Sequence, residues 1–156
     1  MTTIQHLDNI DLCILRALQD DARLTVKELA LKVHRSPTPV FERLKRLETQ
    51  GYIRRYVAII DADKVGQGFV VFCRVKLSHM NRSIATGFKE FIAELPEVTE
   101  CYNVSGGYDY LLKIYAPSMS AYQEFLLNKL GAFEALGSVE STFVMSELKH
   151  DYSLPF

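Results

Sequence analysis

Thr25 and Glu28 stand three apart at the head of Val26, Leu29, Ala30 and Val33, and only His34 and Arg35 separate that run from Ser36-Pro37-Thr38-Pro39. The Thr-x-x-Glu spacing is a capping box, in which each side chain satisfies a helix-end amide that has no intrahelical partner. The two prolines fit the first turn of a further helix, where the N–H groups they lack would be unbonded in any case. Two helices therefore meet across a turn of about two residues, and that junction is the strongest constraint in the chain. An earlier helix is read from Leu7, Ile10, Ile14, Ala17 and Leu18, capped by Asp8 or Asn9 and ending near Gln19. The third helix starts at Ser36, whose hydroxyl is the expected cap, and runs to about Gln50, with Gly51 as its stop.

Side-chain placement on the third helix gives the junction a purpose. At about 100° per residue, Val40, Leu44 and Leu47 share the core face. Thr38, Glu42, Lys45, Arg46 and Thr49 lie opposite, a face expected to be polar, basic and free of bulky apolar groups. Between residues 32 and 55 there are seven basic side chains and two acidic ones. A charged helix face is by default a solvated one, but solvated faces mix both signs, whereas here one sign dominates beside a tight turn and a helix N-terminus. That combination is the pattern of a helix-turn-helix reading duplex DNA. Thr38, Glu42 and Arg46 are expected nearest base edges, and Arg35, Arg43, Arg54 and Arg55 nearer phosphates, with Ser36, Pro39 and Lys45 completing the interface. Glu42 also has a plainer role open to it, an i,i+4 pair with Arg46.

Net charge agrees once it is divided. The total of −1 hides ten basic and seven acidic residues over 1–60, against eight and twelve over 61–156. A basic half and an acidic half point to a polyanion partner for the first alone. Residues 52–60 read as an extended β-prone linker, and 61–68, with two glycines, as the boundary. Beyond it a strand at 69–77 is followed by a helical stripe of Ile84, Phe88, Phe91, Ile92 and Leu95, stopped by Pro96. Strands at 98–104 and 108–115 flank Ser105-Gly106-Gly107, a second helix opens at Ser118 or Ser120, and a last strand covers about 139–145.

The expected fold is thus α+β. A three-helix helix-turn-helix (winged-helix-like) domain, 1–60, is joined by an extended linker strand to a βαββαβ ferredoxin-like domain, 61–156. Both helices of the second domain cover one sheet face, so the other face, read as apolar through Val70, Phe72, Leu111 and Tyr115, should be covered by a second copy in a homodimer. Cys13, Cys73 and Cys101 are read as small core hydrophobes in a reducing compartment, with no metal site. The longest apolar runs fall far short of the roughly 18 residues of a membrane helix, and residues 1–6 carry no export signal. A soluble, cytoplasmic chain without membrane association follows.

The run Ser36-Pro37-Thr38-Pro39-Val40-Phe41-Glu42-Arg43-Leu44-Lys45-Arg46-Leu47-Glu48, followed by Gly51-Tyr52-Ile53, resembles the DNA-binding domain of the leucine-responsive regulatory protein/asparagine-operon regulator (Lrp/AsnC) family. The resemblance continues through Glu100-Cys101-Tyr102-Asn103-Val104-Ser105-Gly106 and Tyr108-Asp109-Tyr110-Leu111-Leu112, and spans residues 7–149. It implies a transcription regulator that binds double-stranded DNA. It also implies a homodimer assembling into an octamer or similar ring, with an amino acid or related effector bound at subunit interfaces and no cofactor. On spacing alone Ser105-Gly106-Gly107 is a hairpin turn. The resemblance places it beside the effector pocket, with Tyr102, Asn103, Val104, Ser105, Gly106, Gly107, Tyr108, Asp109 and Thr142 as the effector residues. Two departures stand out: His34-Arg35 where the family often has Gly-Leu, a turn His tolerates at positive φ, and Gly107 where Asp or Asn is common. An effector-independent architectural regulator is one alternative. Siroheme decarboxylases resemble the same scaffold and supply an enzymatic one, for which His79 and His150 are the only C-terminal histidines and neither has a plausible catalytic partner. No catalytic residue is assigned.

Overall fold

A computed structural model describes residues 7–156, so the reading of residues 1–6 lies outside the described residues. Contacts divide the chain into two units, residues 7–59 together with 149–156, and Ile60–Leu148.

The first unit holds α1 (Asn9–Asp20), α2 (Val26–Lys32) and α3 (Pro37–Thr49). Asp8 caps α1, accepting from the Ile10 and Asp11 amides, while the Asp11 carboxylate accepts from the Asp8 amide to close a capping box. Thr25 and Glu28 form the second box, on α2, as the spacing predicts. His34 sits at φ +53°, so the interhelical turn is made with a left-handed residue, and Gly51 at φ +77° ends α3. Ile14, Leu29, Val40 and Leu47 are fully buried at the junction of the three helices.

Two expectations for this unit change. Residues 52–60, expected as a linker strand, pair with no strand among the described residues, since the only sheet there is built from the second unit. The tail 149–156, assigned from sequence to the C-terminal domain, groups with the helical unit instead. It is held there by α1: the Gln19 side chain exchanges two hydrogen bonds with the Leu154 backbone, at 2.6 and 3.3 Å. Arg16 donates to the Phe156 carbonyl at 2.7 Å and lies over its ring. No periodicity in the tail announces such a contact.

The second unit is built from β1 (Phe69–Leu77), α4 (Arg82–Ala93), β2 (Val98–Asn103), β3 (Tyr110–Ala116), α5 (Met119–Asn128), a single 3-10 turn (Leu130–Ala132) and β4 (Leu136–Phe143). The antiparallel sheet has the order β2-β3-β1-β4, the split βαβ arrangement. Val71, Cys73 and Val75 of β1 and Leu112 and Ile114 of β3 pack under Phe88 and Ile92 of α4 and Tyr122 and Phe125 of α5. β4 starts three residues earlier than its sequence pattern indicates, because its ladder with β1 extends to Leu136 opposite Leu77 across a bulge.

The face without helices is less apolar than expected. Val70, Phe72, Leu111 and Tyr115 are half-buried on it, but the same alternation brings Arg74, Lys76 and Lys113 to that side. Lys113 is only 7% exposed, paired with Glu100 at 3.5 Å and lying over the Tyr115 ring, and Arg74 pairs with Glu140. Of the cysteines, Cys73 is buried, and burial pushes its thiol up to about 11, inert at neutral pH. Cys13 and Cys101 are exposed rather than core residues, Cys101 although it pairs with the buried Leu112, because β2 is an edge strand of the sheet. Among the described residues no helix is long and apolar enough to cross a membrane, and no group of His, Cys, Asp or Glu is placed to hold a metal ion.

Candidate nucleic-acid interface and effector turn

α3 presents two polar surfaces with different chemistry. Thr38, Glu42, Lys45 and Thr49 are exposed along its outward face, with Arg35 exposed in the turn before it and Arg54 and Arg55 exposed after it. The Arg35 guanidinium donates to the His34 carbonyl at 2.9 Å, which keeps it beside the α3 N-terminus. Ser36 and Pro39 are exposed in the first turn, but the Ser36 hydroxyl makes no capping bond; Pro39, at the third helical position, lacks one of the amides such a cap would have served.

The second surface faces α1. Asp11, 1% exposed, receives the Arg43 guanidinium at 2.8 Å and the Arg46 guanidinium at 2.6 Å, and Arg43 also reaches Asp8 at 2.6 Å. Burial by itself would raise the Asp11 carboxyl, but the bonds from Arg46, Arg43 and the Asp8 amide outweigh it and hold the group below the ordinary 3.8. Asp11 and then Asp8 hold the Arg43 guanidinium charged in turn. The sequence reading sent Arg46 to base edges and Arg43 to phosphates; both side chains are ion-paired to α1, each through one terminal nitrogen, and keep 40% and 30% of their surface exposed. Glu42 forms no ion pair with Arg46 among the described residues, and Arg46 pairs with Asp11 instead.

Sequence reasoning missed Asp11, whose place three residues after Asp8 gives only the signal of a cap. It also missed the linker's Tyr56, which donates to Glu48 of α3 at 2.8 Å and whose hydroxyl is pushed up to about 12 by burial and by that carboxylate.

In the second unit residues 104–109 join β2 to β3. Asp109 fixes this turn three ways: its carbonyl accepts from the Val104 amide at 2.9 Å and the Asn103 side-chain amide at 2.8 Å, its own amide donates to the Val75 carbonyl, and its carboxylate accepts from the Leu77 amide at 2.8 Å. One carboxylate oxygen is therefore already engaged, leaving the other for a ligand. Gly106 sits at φ +121°, a conformation L side chains rarely adopt. The Ser105, Gly106 and Gly107 amides have no acceptor among the described residues.

Tyr108 donates to Glu140 of β4 at 2.7 Å, and this bond with the paired Arg74 holds Glu140 below the usual carboxylate range. Lys76 donates to the Gly107 carbonyl at 3.2 Å. The turn thus gathers Arg74, Lys76 and Glu140, none of which the sequence pointed to, because the β1–β4 register is not visible in it. Tyr102 is turned to Glu100, at 2.8 Å. Thr142 lies opposite Phe72, one position beyond Glu140 along that face, with no hydrogen bond to the turn among the described residues.

Each of the two units matches a described family. Residues 7–54 match the family described as winged helix-turn-helix DNA-binding, and residues 70–154 the Lrp/AsnC ligand binding domain. The chain is 37% identical over 143 residues to the Bkd operon transcriptional regulator of Pseudomonas aeruginosa, covering 92% of this chain and 94% of that one. It is 37% identical over 150 residues to the leucine-responsive regulatory protein of Escherichia coli, covering 96% and 92%. Among solved structures, a transcriptional regulator of Neisseria meningitidis in complex with L-Met superposes with a TM-score of 0.92 at 36% identity, over 96% of this chain and 97% of that one.

Proposed function

The chain belongs to the Lrp/AsnC family of DNA-binding transcriptional regulators, and from that premise we propose an amino-acid-responsive regulator that acts in the cytoplasm as a homodimer, assembled further into an octamer or similar ring, and catalyses no reaction. Its DNA contacts come from the outward face of α3, with Thr38, Glu42 and Lys45 toward base edges and Arg35, Arg54 and Arg55 toward phosphates. Arg43 and Arg46 act by holding that helix in place.

The observation that carries this reading is the division of labour on α3: its two central arginines are paired with Asp11 while Thr38, Glu42, Lys45 and Thr49 are left exposed. An effector amino acid suits the 104–109 turn because its two charged ends match what the turn offers. Free amides at Ser105, Gly106 and Gly107 receive a carboxylate, and the unengaged Asp109 oxygen receives an ammonium group. The L-Met complex of the Neisseria relative supports the same chemical class. A second copy is called for by the half-buried apolar side chains on the helix-free sheet face and by the exposed Val57, Ile59 and Ile60 of the unpaired linker.

Sedimentation of the full chain with and without each of the twenty amino acids tests both parts. The expected result is an oligomer whose size distribution shifts with at least one amino acid; a monomer at micromolar concentration under every condition overturns the reading.

A further inference from the structure

The outward face of α3 is not free of bulky apolar groups. Phe41 is 48% exposed on it, one turn after Pro37, one turn before Lys45, and beside Thr38 at i,i+3 spacing. The interior of the helical unit is already filled from this helix by the fully buried Val40 and Leu47 and the half-buried Leu44. An isolated exposed aromatic is ordinary on a protein surface. This one occupies the helix face left for DNA once Arg43 and Arg46 are turned to Asp11.

That withdrawal has a chemical consequence. Bidentate arginine is the commonest reader of guanine, and on this helix both guanidinium groups are turned toward α1, each holding aspartate through one terminal nitrogen. What remains outward is a hydroxyl on Thr38, a carboxylate on Glu42, an ammonium on Lys45 and the Phe41 ring. In the major groove only thymine offers an apolar group, its C5-methyl, so a ring placed there discriminates by contact with that methyl. Lys45 beside it supplies the charge that brings the polyanion to the same place.

We infer that Phe41 is a specificity-determining residue that packs against the methyl of one thymine in each half-site. The inference rests on α3 being the helix that enters the groove, as proposed above.

An operator selected from random duplexes by the full chain provides the probe, with each thymine replaced in turn by deoxyuridine, which lacks only the methyl. At one position per half-site deoxyuridine should weaken wild-type binding about fourfold, the value of one methyl group kept from water. Phe41→Ala should bind the unmodified operator more weakly and be indifferent to deoxyuridine at that position. Phe41→Leu, which keeps an apolar contact, should retain part of the sensitivity and guards against a folding artefact. Thr38→Ala and Lys45→Ala are measured alongside. If these two weaken binding while Phe41→Ala keeps wild-type affinity and deoxyuridine sensitivity, the role of Phe41 is overturned and the groove assignment stands. If all three bind as wild type does, the groove assignment itself falls, and the inference with it.

Discussion

At 1% exposure, the Asp11 carboxylate has exchanged water for two guanidinium groups and one backbone amide. A buried carboxylate is tolerated only when paired and hydrogen-bonded, and removing one side of such a pair costs far more than a surface ion pair contributes. Arg43 and Arg46 keep part of their side chains in water, which moderates the loss. Asp11→Asn is expected to destabilise the helical unit by about 2 kcal/mol at neutral pH, read by thermal or urea unfolding. The pH dependence has a definite sign. A folded-state pKa below 3.8 means stability that is fully present above that value and lost as pH falls through the folded pKa. The wild-type midpoint should therefore be flat through pH 5 to 7 and fall below about pH 4, with a smaller fall in Asp11→Asn. Equal stability of the two proteins at pH 7 contradicts this role. The sequence could not reveal it, since an aspartate in the first turn of a helix is sufficiently explained by capping, and its second role depends on how α1 and α3 pack.

Among the elements, those fixed by local chemistry were legible and those fixed by pairing were not. The Thr25-Glu28 box, the positive-φ turn at His34 and the stop at Gly51 depend on a few neighbouring residues and stand where the sequence puts them. The start of β4, the unpaired linker and the docked tail depend on partners distant in sequence, and each differs from its expectation. The same distinction bounded the effector turn. Its glycines were visible, but the Arg74, Lys76 and Glu140 side chains around it arrive through sheet register. The two helix starts beside the turn offer a direct comparison. Thr25→Ala removes a working cap and should cost about 1 kcal/mol of stability, whereas Ser36→Ala removes a hydroxyl that caps nothing and should change stability by less than about 0.5 kcal/mol. Parallel unfolding measurements check both, and equal losses would restore Ser36 as a cap.

Over the whole molecule, a net charge of −1 is the sum of a basic 1–60 and an acidic 61–156. The basic half meets a polyanion through few groups. With Arg43 and Arg46 paired to Asp8 and Asp11, the positive charges along α3 and its flanks that have no carboxylate partner among the described residues are Lys32, Arg35, Lys45, Arg54 and Arg55. Salt dependence counts such groups, because each phosphate neutralised releases condensed counterions. The central claim, that the outward face of α3 is where DNA is bound, is tested most directly by salt-titrated binding of a selected operator to the full chain and to the double variant Arg35→Ala/Lys45→Ala. Weaker binding is expected, with a slope of log K against log salt shallower by about one to two per subunit engaged. A correctly folded double variant with wild-type affinity and wild-type slope would contradict it.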